Sequence, residues 1–138
     1  MRTLILLLLL LSSFSPAACG AEAQSGRFLQ QVVAGSESHQ SNLQALLRGA
    51  RSLPSWVRNM ISTPRYVSGA SRAVTVDGKP AELFGACLAG KCAQSRLRVL
   101  FLPEGKALSL RVDDAQLGEV LLGSPSEDAL KALSLPGI

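Results

Sequence analysis

Cys87 and Cys92 are the residues best placed for chemistry, in the run Phe84-Gly85-Ala86-Cys87-Leu88-Ala89-Gly90-Lys91-Cys92-Ala93-Gln94. Four residues separate them, small residues flank them, and apolar alternating stretches precede and follow. This reads as a disulfide-closed loop between two strands. Thiol–disulfide catalysis fits less well, because redox motifs place two residues between the cysteines and a helix start beside them to stabilise a thiolate. A ring this small contributes only about 2 kcal/mol of loop-closure stabilisation. Its better use is pre-organisation, so that ordering the loop is not charged to binding. Lys91 is the one charged group inside the ring. Its ammonium suits the carboxylates of an acidic cleft, such as the pair flanking the scissile bond in glycoside hydrolases; a solvated charge on a turn is the plainer reading. The candidate target-binding loop is therefore Cys87, Leu88, Ala89, Gly90, Lys91 and Cys92.

Other chemistry is poorly supplied. His39 is the single histidine and lies in a Gly/Ser-rich break, Gly35-Ser36-Glu37-Ser38, with no nucleophile elbow nearby. One histidine and two disulfide-prone cysteines do not make a metal site, and no cofactor motif occurs. Asp113 and Asp114 point to opposite faces if they lie in a strand, which argues against paired acid–base carboxylates. They read as a solvated strand end or turn. These features point away from an enzyme. Fourteen basic against ten acidic side chains give a net charge of +4, which favours acidic partners. No run of like charge marks a nucleic-acid stripe, and aromatics are too few for a base-stacking platform.

The chain opens with Met1-Arg2-Thr3 and an apolar run, Leu4 to Leu11, too short to span a bilayer, as in a secretory signal. Cleavage after Ala21-Glu22-Ala23 makes residues 1–23 the leader and 24–138 a single small domain. Alternatively, Pro16-Ala17-Ala18-Cys19 ends like a bacterial lipoprotein box, with Pro where an aliphatic residue is usual, and would anchor the chain through Cys19. Either way Cys87 and Cys92 remain as the pair, which suits an oxidising compartment such as the periplasm. No second long apolar run follows, so no membrane span is expected.

Several elements must hold the loop. Phe28, Leu29, Val32 and Val33 recur at helical spacing up to Gly35. Ser41-Asn42-Leu43-Gln44 has the form of a capping box, predicting a helix over 41–48. Leu53-Pro54-Ser55-Trp56-Val57 interrupts it, with the sole tryptophan as a core anchor. From Pro64 the period becomes two. Residues 73–84 read as a hairpin turning at Asp77-Gly78, whose second strand leads to Cys87. Leu97, Val99 and Phe101, then Leu108, Leu110 and Val112, make a second hairpin around Pro103-Glu104-Gly105-Lys106. Leu117 to Leu122 is a shorter candidate strand. Ser124-Pro125-Ser126-Glu127 predicts a C-terminal helix with Ser124 as its cap. The class is α+β: an antiparallel sheet of about five strands with flanking N- and C-terminal helices and a protruding disulfide-closed loop.

Taken in order, these pieces resemble the Ivy family, bacterial periplasmic inhibitors of vertebrate c-type lysozyme. The resemblance rests on the helix before Leu53-Pro54-Ser55-Trp56-Val57, the Val76-Asp77-Gly78-Lys79 turn, and the Cys87 to Cys92 loop. It continues through Val99-Leu100-Phe101, Ala107-Leu108 and Leu122-Gly123-Ser124-Pro125-Ser126-Glu127. It implies a loop that plugs a lysozyme cleft, and it leaves a homodimer open. The family loop typically reads Cys-Lys-Pro-His-Asp-Cys, with the histidine contacting the catalytic carboxylates. Here Leu88 and Ala89 replace Lys-Pro, Gly90 stands at the histidine and Lys91 at the aspartate. Vertebrate lysozymes of this type are generally strongly basic, so a +4 chain meets them against repulsion. The expectation is a lysozyme-inhibitor-like binding protein with weak or absent inhibition of vertebrate lysozyme, directed at a muramidase. The alternatives are a regulator of the cell's own lytic transglycosylases or an envelope-associated structural protein of the same fold.

Overall fold

A computed structural model describes residues 26–137; the leader, with both cleavage sites and Cys19, lies outside the described residues. Helix α1 (Leu29–Gly35) and helix α2 (Glu37–Leu47) are separated by Ser36 alone. The expected polar break is thus one residue long. Ser36 accepts the His39 backbone N–H as N-cap of α2, so the helix starts four residues before Ser41 and the Ser41/Gln44 box is not used. Ser41 Oγ instead donates back to the Ser38 carbonyl. Helix α3 (Ser55–Arg58) begins at Pro54 and buries Trp56 and Val57.

Six antiparallel strands follow: β1 (Tyr66–Ser68), β2 (Arg72–Val76), β3 (Lys79–Leu88), β4 (Ser95–Phe101), β5 (Ala107–Asp114) and β6 (Gly118–Gly123). Their order is β1-β3-β4-β5-β6, with β2 also paired to β3. β1 pairs with Ala86–Leu88 and β2 with Lys79–Leu83, while β4 takes the opposite side of β3; β1 and β2 therefore share one edge of β3 end to end. Asp77 and Gly78 both adopt positive φ, as the tight β2–β3 turn requires. Helix α4 (Glu127–Leu133) is capped by Ser126, whose Oγ accepts the Ala129 N–H. The cap falls at Ser126 rather than Ser124, which leaves Pro125 before the helix.

Period-two alternation loads both faces of the sheet. One carries Phe84, Leu97, Val99, Phe101, Leu110 and Val112 against Leu29, Leu43 and Val57 from the N-terminal helices. The other places Ala81, Leu83 and Leu100 under Ala129, Ala132 and Leu133 of α4. On that second face Arg98 and Arg111 sit opposite each other in register. Arg111 donates to Oγ of Ser134, the C-cap of α4, and Arg98 to the Gly137 carbonyl in the segment beyond it. Cations are favoured at such an end.

His39 is not in a loop. It lies in α2, is 5% exposed, and packs on Phe101 with ring centroids 5.0 Å apart. Ser36 Oγ accepts the His39 N–H, so its own hydrogen can go to Nδ1 at 2.7 Å, leaving the ring proton on Nε2, which has no partner among the described residues. Burial, then the Arg27 guanidinium, hold the imidazole below its usual range, against an opposing pull from Glu82. The unfolded chain therefore takes up the proton first. Stability is complete above the unfolded value of 6.5 and falls as pH drops from there towards the folded-state pKa. Urea midpoints should decline from pH 7.5 to 5 in the parent and lose most of that slope in His39→Gln. An equal slope in both proteins would refute the assignment.

Candidate functional site

The ring is built at the end of two central strands. Cys87 and Cys92 are disulfide-bonded with Cα atoms 4.9 Å apart. Cys87 and Leu88 are the last residues of β3, not part of an exposed tip: Cys87 is fully buried, pairing with Val67 and Arg96, and Leu88 packs against the core. Neither offers a partner its side chain freely. The accessible part is Ala89, Gly90, Lys91 and Cys92.

Hydrogen bonds fix that tip. Lys91 N–H donates to the Leu88 carbonyl at 2.9 Å, closing a turn in which Gly90 has φ +75°. That is the third turn position, where a type II turn demands a positive φ, so glycine here satisfies the geometry rather than loosening it. Ala89 N–H donates to the Arg65 carbonyl, and the Lys91 carbonyl accepts from both Gln94 and Ser95. The Lys91 backbone is thus held as donor and acceptor while its side chain is exposed.

A buried chain supports the base of the ring. Trp56 Nε1 donates to Ser95 Oγ at 2.8 Å, and Ser95 Oγ donates to Asp114 Oδ2 at 2.7 Å. Asp114 Oδ1 accepts the N–H groups of Gln116 and Leu117. The Ser95 bond, then the Leu117 amide, hold this carboxyl below its usual range, with burial opposing. Asp114 is therefore a committed acceptor, and Asp113 pairs separately with Arg111 at 3.1 Å. The two aspartates do different structural jobs, and neither is set up as a general acid. Burial pushes Tyr66 up to about 12, which removes it as an acid near neutral pH.

Grooves flank the ring on two sides. One, of about 390 Å³, runs past Trp56, Asn59, Thr63 and Arg65 to Leu88. The other, of about 330 Å³, is lined by Lys91, Gln94, Ser95, Asp114 and Gln116. Arg65 is joined to the ring through its carbonyl, and Arg96 faces Cys87 in register. Arg65 therefore lies beside the tip, while Arg96 stands in register between Cys87 and Asp113; the nearby Asp114 carboxylate is already engaged. Sequence reasoning placed Lys91 and the disulfide but not Arg65, Ser95 or Trp56 as supports. The expected strand end or turn at Asp113-Asp114 is found, with Asp114 at the end of β5 accepting the two N–H groups of the turn that follows.

Among the described residues, no three His, Cys, Asp or Glu side chains gather as a metal-ligand set, and no helix is long and apolar enough to cross a membrane. In comparisons with known proteins, the chain matches no family model and no curated sequence.

Proposed function

We propose that this chain is a periplasmic, lysozyme-inhibitor-like binding protein that presents the Ala89-Gly90-Lys91 turn to the active-site cleft of a muramidase. Lys91 is the contact to the cleft carboxylates. The observation that carries this reading is the pinned Lys91 backbone beneath an exposed ammonium, since the ordering of the loop backbone is not charged to binding. Arg65 beside it favours an acidic partner over a basic one. A target such as the cell's own lytic transglycosylases fits that polarity better than a vertebrate lysozyme does, and inhibition of the latter is expected to be weak or absent. A second reading, an envelope-associated interaction protein of this fold, is favoured by glycine at the position of the family histidine.

Binding of residues 24–138 to hen lysozyme and to a purified lytic transglycosylase, at low and physiological salt, tests this. The transglycosylase is expected to bind, and Lys91→Ala to weaken the complex about tenfold, the scale of a single charge-assisted contact. Absence of binding to either enzyme at micromolar protein, with an envelope phenotype on deletion, would leave the second reading.

A further inference from the structure

A groove of about 580 Å³ lies away from the ring, between α4 and the outer edge of β2. Its lining includes Ala73, Val74 and Thr75 from the strand and Asp128, Lys131 and Leu135 from the C-terminal segment. The register decides which backbone groups point into it. Thr75 stands opposite Pro80, which has no N–H, so this pair cannot exchange two hydrogen bonds. It is a non-hydrogen-bonded pair, and by alternation so is Ala73 with Glu82. The N–H and C=O groups of Thr75 and Ala73 therefore face outward, and the described residues hold no partner for them.

Natural sheets usually blunt such an edge with proline, a bulge or a covering segment. The neighbouring edge is treated that way: Gln30 Nε2 donates to the Tyr66 carbonyl, and Ser71 N–H donates to the Arg27 carbonyl. Cover stops at Ser71. From Ala73 to Thr75 the edge runs in continuous register without bulge or proline, and both residues are exposed.

We infer that this edge takes one extended peptide segment of a partner protein as an added strand, its side chains alternating between solvent and the Val74–Leu135 floor. Backbone pairing of this kind supplies affinity, and the groove supplies selectivity. At the hairpin end of the groove Asp77, Glu127 and Asp128 outnumber Lys79 and Lys131, the latter already paired with Glu127, and this favours a basic residue in the segment.

The probe is the blocked peptide Lys-Thr-Val-Thr-Val-Thr-Lys, titrated into isotopically labelled protein. Amide shifts and slowed hydrogen exchange are expected at Ala73 and Thr75, with the ring residues 89–92 unmoved. Thr75→Pro removes an outward donor without touching the β2–β3 ladder, and should weaken binding about tenfold, the worth of one backbone hydrogen bond with its orphaned partner. Thr75→Val keeps the N–H and should bind like the parent, and an unchanged urea midpoint in Thr75→Pro separates the lost donor from a mere folding defect. Equal binding by Thr75→Pro and parent, or shifts confined elsewhere, would overturn the inference. So would a parent protein that is dimeric in sedimentation equilibrium and monomeric as Thr75→Pro, because the edge would then belong to a second copy.

Discussion

Replacing Arg27 with methionine is expected to cost about 2 kcal/mol, more than replacing its partner Glu82 with glutamine. The two form a forked ion pair, with Arg27 Nε and Nη2 each donating to a different oxygen of Glu82. Ser71 Oγ donates to Oε1 as well, at 2.6 Å. Exposure makes the pair asymmetric. The Glu82 side chain is 10% exposed and that of Arg27 is 47% exposed. Removing the cation takes a forked partner from a carboxylate on a buried strand position, with the Ser71 hydroxyl still donating to it. Glu82→Gln leaves a guanidinium that water can still reach, and should cost about 1 kcal/mol, near the value of an ordinary lost hydrogen bond. The pair ties the segment before α1 to β3, with Ser71 at the turn into β2. Urea unfolding of the two variants checks the order, and equal losses would mean that Arg27 packs rather than pairs. Arg27→Met should also raise the His39 pKa, since this guanidinium is one of the groups holding it down.

Most of the sheet was legible because each strand carries its own signals. Asp77-Gly78 fixed one turn, and the alternation of Leu97, Val99 and Phe101 with Arg96 and Arg98 fixed which side is buried. β1 was less visible, since three residues cannot display a period. The first helix ends at Gly35 as expected, but the start of α2 and the cap of α4 were misplaced, for a physical reason. Ser36, Ser41, Ser124 and Ser126 are all competent caps by residue type, and only tertiary packing chooses among them. His39 tips the choice in α2, because its ring fills the space over Phe101 and starts the helix at Ser36. The ring was legible as a ring, but not the depth of Cys87 in β3 or the Trp56–Ser95–Asp114 chain beneath it. Trp56 and Ser95 lie 39 residues apart and meet only when α3 is laid across the strand ends.

Gly123→Ala is expected to be among the most damaging small substitutions outside the core, at about 3 kcal/mol. Gly123 ends β6 opposite Ser109 with φ +79°, a conformation that L side chains rarely adopt. Space adds to the cost. A Cβ there would stand 2.5 Å from the Leu108 carbonyl oxygen and 3.1 Å from the Ser109 Cα. Both are backbone atoms of a paired strand, so relief requires moving β5 or withdrawing the end of β6. Gly90 makes the contrast. Its φ is also positive, at +75°, yet nothing lies within 4 Å of a Cβ built on it. Gly90→Ala should therefore cost only the conformational term, about 1 kcal/mol. The Gly123 variant should lose hydrogen-exchange protection where α4 docks, because the chain leaves β6 at this residue and crosses to Ser126. Protection around Lys91 should hold in both variants if the ring is an independent rigid mount. Comparable destabilisation by the two substitutions would show that the close approach at Leu108 relaxes easily, and that backbone conformation alone sets the cost.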